Sequence, residues 1–290
     1  MIAAECSTNR SVLASEPLEG EILRTVSEAR LKIALAFWLA AQSFGEDMSD
    51  TESVRAGRFV CKTDEVHVWR VALALDREEL SALAILLSSD ECDHSSGFTN
   101  ETLRCRWIAA RGALRVILAA YTEIAPGALR FTTEPTGKPK LVTGGLSFNL
   151  THTGHLAFIA ITAGGLVGID AEIVQPEFPW EHIGRTFFAR EEISAILQLA
   201  PEVRARAFYA CWTRKEAYLK ALGFGLQAAL DKFQVSVGPD EPLLLRVDGD
   251  PEQAVLWGLM DISEADVAVA LATNPAKTIV RRFAFSMPLL

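Results

Sequence analysis

Two carboxylates spaced two residues apart, Asp170 and Glu172 in the segment LVGIDAEI, are the first candidates for chemistry. On a strand, positions i and i+2 leave the same face. Two like charges held that close oppose each other's ionisation unless a cation lies between them. A hard divalent ion such as Mg²⁺ meets that need, since it takes one or two carboxylates together with phosphate oxygens. A solvated pair at a strand end is the other reading. Further on, the segment WTRKEAYLKALG, from Trp212 to Gly223, places Glu216 and Lys220 on one helix face, with Lys215 just before and Gly223 as a helix stop. In isolation, Glu216 and Lys220 are a surface pair worth about 0.3 kcal/mol. Beside the strand pair, they offer a third metal ligand and a cation for phosphate.

A glycine turn with a lysine, Thr136-Gly137-Lys138-Pro139, precedes the polar run from Leu146 to Thr153, which contains Asn149, Thr151 and His152. Gly137 lets the backbone approach a ligand closely and aims Lys138 outward. Thr151 and His152 could donate to phosphate oxygens, or serve as hydrogen-bonded turn residues. The turn is no Walker loop, because G-x-x-x-x-G-K-[ST] is absent.

These residues need elements to carry them, and the pattern supplies the same order twice. From about Val66 there is a strand (VHVWRVAL), a helix near Leu80 to Leu87 and a strong helix from Leu103 to Tyr121. The strands LRFTT, LSFNL and HLAFIAIT follow. A second pass opens with LVGIDAEI, continues with helices near Glu191 to Leu199 and Arg206 to Leu222, and ends in FQVSV, VLWGLMDI, DVAVALAT and TIVRRFAF. The expectation is an α+β fold of two similar halves, 61–165 and 166–290, with helices on antiparallel sheets and a site in the cleft between the halves. Residues 1–60 stand apart as an N-terminal extension. Its segment Glu21 to Phe44 has the apolar spacing of an amphipathic helix, and a polar linker from Glu46 to Arg58 follows.

Composition sets the outer bounds. The chain has 290 residues, 28 Lys plus Arg against 37 Asp plus Glu, and a net charge of −9. Half the residues are hydrophobic, which excludes a disordered chain, and the acidic balance argues against a nucleic-acid binder. Five cysteines at irregular spacing read as free thiols in a reducing compartment. The N-terminus lacks the features of a secretory signal, so a cytoplasmic protein is expected. Leu141 to Ile169 carries no Lys, Arg, Asp or Glu, yet its Asn149, His152, His155 and six glycines suit short buried strands rather than a membrane span. The charge is uneven: seven cations between Arg104 and Lys140 face Glu123 and Glu134, and five between Arg204 and Lys220 face Glu216. Facing one another, these islands would make a phosphate-binding cleft.

The succession GKP, FNLTHT, VGIDAE, FF-x-x-EE (Phe187 to Glu192) and WTRKEAYLKALGFGL resembles the Sfp-type 4′-phosphopantetheinyl transferases, whose pattern runs GKP, FN-[IVL]-SH, GID-x-E, F-x-x-x-E and W-x-x-KE-[AS]-x-x-K. It covers roughly Val66 to Phe285 and is densest from Phe131 to Leu226. The resemblance implies a pseudo-dimer of two α+β halves in one chain, and because the duplication already supplies both halves, a monomer is expected. It also implies transfer of the phosphopantetheine arm of coenzyme A to a serine of an apo acyl or peptidyl carrier protein. Asp170, Glu172 and Glu216 match the carboxylates that hold Mg²⁺. Glu216 is the candidate base, with a metal-bound water as the alternative. Lys220 matches the lysine on the pyrophosphate. Lys138, Thr151, His152 and Arg106 match positions around the nucleotide and its 3′-phosphate, and Gly137, Asn149 and Lys215 lie in the same ligand-binding motifs.

Two departures stand out. Thr151 replaces the family's usual Ser and keeps the hydroxyl. The segment before the long helix carries Asp90, Glu91 and Asp93 where several relatives place lysines, which would weaken a contact to the nucleotide. That segment and the N-terminal extension motivate a second reading, a non-catalytic module that binds coenzyme A or a carrier protein. Another Mg²⁺-dependent phosphoryl transferase is a third, without a Walker or kinase motif to support it.

Overall fold

The structure, a computed structural model, describes residues 59–286 apart from 144, 225–228, 239–241 and 277. The helix and linker expected before residue 59, and Cys6, lie outside the described residues. The chain is mixed α+β, and its order of elements repeats. First come β1 (Glu65–Ala72), α1 (Arg77–Ala84), α2 (Ser89–Ser96), α3 (Glu101–Tyr121), a 3₁₀ turn (Pro126–Ala128), and strands β2 (Phe131–Thr133), β3 (Pro139–Leu141), β4 (Ser147–Thr153) and β5 (Leu156–Thr162). Then come β6 (Leu166–Ile173), α4 (Trp180–Phe187), α5 (Arg190–Gln198), α6 (Pro201–Leu222), a second 3₁₀ turn (Leu230–Lys232), β7 (Phe233–Val235), β8 (Leu244–Val247), the short α7 (Gln253–Leu256), β9 (Gly258–Asp261), β10 (Val267–Asn274) and β11 (Ile279–Phe285).

The sheets repeat as well. One has the order β11-β1-β5-β4 and the other β6-β10-β9, so β1, β5 and β4 correspond to β6, β10 and β9. Each half adds a two-stranded hairpin, β2–β3 and β7–β8. In the second sheet, β10 runs antiparallel to both neighbours, with Ala270 opposite Asp170.

Alternation along these strands decides what each face meets. Val167 and Ile169 of β6, with Val269 and Leu271 of β10, join a core that includes Val66, Val68, Leu156 and Phe158. The opposite face of β10 presents Ala268, Ala270 and Ala272 to a second core containing Phe208, Tyr218, Phe233 and Trp257. On that face helix α6 reaches β6 at Gly168, where an added Cβ would lie 2.1 Å from Ala217 O and 2.3 Å from Ala221 N. Small residues under the helix let it sit directly on the strand.

The described residues form two compact units, one built on 72–129 and the other on 61–71 with 130–284. In the first, helix α2 is started by a capping box. The Ser88 hydroxyl accepts from Glu91 N, and Glu91 accepts from Ser88 N at 2.8 Å. The same Glu91 carboxylate is paired with Arg111 and, at 2.7 Å, with Arg115 of α3. Arg115, 1% exposed, also donates to Pro126 O at 2.8 Å and Leu129 O at 3.2 Å, around the 3₁₀ turn.

The second unit contains the same device. Glu192, at the third position of α5, accepts from Ala189 N at 2.9 Å and from Val235 N at 2.8 Å. Lys215 of α6 pairs with Glu192 at 2.8 Å, both side chains fully buried. Its ammonium donates to Leu230 O at 2.8 Å and Phe233 O at 2.6 Å, around the second 3₁₀ turn, and lies over the Phe233 ring.

Several local expectations shift. Helix α2 falls in the segment read as merely acidic, and α4 was not expected. Val255 and Leu256, read as the start of a strand, close the short helix α7, and strand β9 begins at Gly258. Cys61, Cys105 and Cys211 are free thiols. No helix among the described residues is long and apolar enough to cross a membrane.

Candidate active site

Close contact at Gly168 sets the site's dimensions. Gly168, Asp170 and Glu172 alternate along β6 on the face that meets α6, and Glu216 and Lys220 lie one turn apart on the helix. With the helix seated on Gly168, Lys220 Nζ reaches Asp170 Oδ1 at 2.5 Å. Thr151 of β4 completes a triangle. Its hydroxyl accepts from Lys220 Nζ at 3.1 Å and donates to Asp170 Oδ1 at 3.3 Å. Asp170 is 4% exposed, whereas the Lys220 side chain is 29% exposed and so is open on one side.

Strand β4 is held beside β6 by side chains. Asn149 Oδ1 accepts from Ile169 N at 2.9 Å, and Thr153 Oγ1 accepts from Ile173 N at 3.2 Å. Asn149, expected among the ligand-binding residues, is thus a rung between two strands, and Thr151 is the middle residue of that ladder, turned to the carboxylate. His152, one residue on, points the other way and is exposed.

Asp170 Oδ2 and Glu216 Oε1 are both buried with no hydrogen-bond partner among the described residues. Burial, together with the Asp170 carboxylate, pushes the Glu216 carboxyl above its ordinary value, with Lys220 pulling the other way. Glu172 is pushed up to about 7 by burial and the Asp170 charge, with Lys220 opposing and Glu216 adding. Three carboxylates therefore share one field. No group of three His, Cys, Asp or Glu side chains among the described residues is gathered as a metal site. The donor set nonetheless fits a hard dication, because two buried carboxylate oxygens await an electrophilic partner and all three donors are oxygens.

The remaining expected residues are placed as follows. Gly137 takes a φ of +95° in the tight turn between β2 and β3, the left-handed conformation that glycine tolerates. Lys138, expected to aim outward, turns inward: Nζ donates to Val167 O and Ala221 O, each at 3.0 Å, and burial lowers its proton affinity. Lys215 lies in the interior, in the pair with Glu192. Arg106 is half-buried on α3, in the other compact unit.

Of the five cations in the second basic island, only Lys220 reaches the carboxylates. Arg204 donates to Leu199 O and Leu197 O, Arg206 to Ala265 O, and the fully buried Arg214 to Ser236 O and Asp261. The island is a set of internal ties more than a basic surface. Acidic residues before α3 find a similar explanation. Glu91 is neutralised by Arg111 and Arg115, which leaves Asp90 and Asp93 exposed in the first turns of α2.

Comparison with known proteins bears on the same residues. The family model described as the 4′-phosphopantetheinyl transferase superfamily matches residues 166–272, which contain Asp170, Glu172, Glu216 and Lys220. The chain is 36% identical over 212 residues to the 4′-phosphopantetheinyl transferase HetI of Nostoc sp., covering 72% of this chain and 86% of that protein. It is 34% identical over 171 residues to a putative 4′-phosphopantetheinyl transferase of Synechocystis sp., covering 58% and 68%. It is 26% identical over 167 residues to the 4′-phosphopantetheinyl transferase Sfp of Bacillus subtilis, covering 57% and 73%. Among solved structures, the holo-[acyl-carrier-protein] synthase of Thermotoga maritima is similar over 38% of this chain and 62% of its own, at 26% identity and a TM-score of 0.30.

Proposed function

Because this chain belongs to the 4′-phosphopantetheinyl transferase family, we propose that it transfers the 4′-phosphopantetheine arm of coenzyme A to a serine of an apo acyl or peptidyl carrier protein and releases adenosine 3′,5′-bisphosphate. The observation that carries this reading is the pair of buried carboxylate oxygens without a partner among the described residues, Asp170 Oδ2 on the strand and Glu216 Oε1 on the helix, with the Lys220 ammonium bound to the other oxygen of Asp170.

Asp170, Glu172 and Glu216 would hold Mg²⁺, which when bound neutralises charge on the bridging phosphates. Glu216 takes the serine proton, and burial raises its basicity for that task. The serine oxygen attacks the phosphorus of the pantetheine 4′-phosphate, and the bond from that phosphorus to the leaving adenosine bisphosphate breaks. Lys220, partly open to solution, donates to the leaving phosphate as negative charge gathers there. Thr151 keeps the Lys220 ammonium on the Asp170 side of the site. The exposed His152 takes the nucleotide end with its 3′-phosphate.

The enzyme is read as a cytoplasmic monomer, supported by the repeated order of elements within one chain and by the free thiols of Cys61, Cys105 and Cys211. The non-catalytic alternative rested on the acids before α3 and on the N-terminal extension; internal pairing of Glu91 weakens the first motive, and the second lies outside the described residues. Intact mass spectrometry of apo carrier proteins, incubated with the protein, coenzyme A and Mg²⁺, tests the proposal. A Mg²⁺-dependent gain of one phosphopantetheine arm is expected. Coenzyme A binding with no gain on any carrier would instead support the binding module.

A further inference from the structure

We propose that Lys138 is a positioning residue for this reaction: its ammonium staples Val167 of β6 to Ala221 of α6, and so holds Lys220 against Asp170. This rests on the transfer reading above and assigns Lys138 a different task from the nucleotide contact implied by its motif.

The two acceptors lie 29 and 83 residues away in the chain, and each is 3.0 Å from Nζ. They flank the closest approach of strand and helix. Val167 precedes Gly168, and Ala221 is the residue whose N lies 2.3 Å from the position of a Gly168 Cβ. Lys220 adjoins one acceptor in sequence. Asp170 lies three residues beyond the other.

Ala221 O belongs to the last turn of α6, where carbonyls lack intrahelical partners and a cation is favoured. The turn that carries Lys138 is itself seated on that helix end. Gly223, the left-handed cap with φ +80°, leaves room for it: a Cβ there would lie 2.6 Å from Thr136 Oγ1 and 3.5 Å from Lys138 Cβ. Lysine suits this place because one nitrogen can donate to two carbonyls that converge from different elements. The staple therefore acts on the geometry of Lys220 and Asp170, through main-chain carbonyls, without touching the reacting atoms.

Its test compares Lys138→Met with wild type on coenzyme A and on 3′-dephospho-coenzyme A, with an apo carrier protein as acceptor. Both substrates are assayed on one preparation, so the folded fraction cancels from their ratio. The expected result is an equal loss on both, about tenfold to a hundredfold, carried by kcat with the KM for coenzyme A unchanged. A loss confined to coenzyme A, bringing the two substrates together, would show that the ammonium meets the 3′-phosphate and overturn the staple. No loss on either substrate would overturn it too. Thermal unfolding supplies an arm that does not depend on transfer: Lys138→Met should lower Tm, and an unchanged Tm counts against the staple. If wild type modifies no carrier, the transfer reading fails, while the unfolding arm still decides the staple.

Discussion

Helices α3 and α6 each carry a buried cation that is tied to a glutamate at the third position of the helix before and points at two carbonyls around the 3₁₀ turn that follows. In α3 the residue is Arg115, with Glu91; in α6 it is Lys215, with Glu192. Aligned on these cations, α3 has Val116 and Ala120 where α6 has Glu216 and Lys220. One frame is thus built twice, and the groups proposed to react stand on only one copy. The difference separates two kinds of charge in a single motif. Lys215 holds the helix down, and its neighbour Glu216, about 100° further round the helix, faces the strand carboxylates.

The sharpest way to break this comparison is Glu216→Gln. It removes the proposed proton acceptor and metal ligand at nearly constant shape. Turnover should fall by about 10²- to 10⁴-fold with an unchanged circular dichroism spectrum. Wild-type-like turnover would take the chemistry away from α6. The buried pairs come next. Lys215→Met strands Glu192 without a cation and should destabilise by about 3–5 kcal/mol in urea unfolding. Arg115→Met should cost less, because Glu91 keeps Arg111. Equal losses would erase that distinction. Gly168→Ala forces the helix off its strand and should lower stability by about 1–3 kcal/mol, with a visible loss of kcat as Lys220 leaves Asp170.

The smallest effect is on pH dependence, and the two nodes should differ in sign. Burial pushes the Glu91 carboxyl up, but the Ser88 N–H with Arg115 and Arg111 more than offset it, so it ionises below the usual range. Its contribution is present above about pH 4.3 and is lost as the pH falls. Glu192 is raised, because burial outweighs Lys215 and the two N–H donors. Its contribution is present below about pH 4.3 and is lost as the pH rises through its folded value. In chemical unfolding between about pH 3 and 5, the deficit of Glu91→Gln should therefore grow with pH and that of Glu192→Gln should shrink. Parallel trends would mean that both nodes titrate alike.

Residues whose role follows from periodicity were legible in the sequence. Strand alternation put Asp170 and Glu172 on one face, and helical spacing put Lys220 beside Glu216. The long helices and the repeated order of elements were legible for the same reason. Residues whose role depends on what lies across from them were not. Lys138 announces a turn, but nothing in the turn says that a helix end lies beneath it. Asn149 looks like a polar ligand until the free N–H edge of β6 is placed opposite. Lys215 shares a motif with Glu216, and adjacency in sequence does not show which of the two faces inward. Helix α2 did leave a signal, the Ser88-x-x-Glu91 spacing of a capping box, which the run of acids obscured.

The side-chain ladder between β4 and β6 has a consequence for how the chain can vary. Asn149 and Thr153 meet Ile169 and Ile173, so both strands advance four residues between rungs, and every member on β4 is an odd-numbered position. A single-residue insertion within β4 would exchange odd for even and present Leu150 and His152 to the N–H edge in place of an amide and hydroxyls. Two insertions would restore the parity but move the hydroxyl one step from Asp170. Unless a bulge absorbs the extra residue, a change of length is compatible with the ladder and with the Thr151–Asp170 contact only in the neighbouring turns.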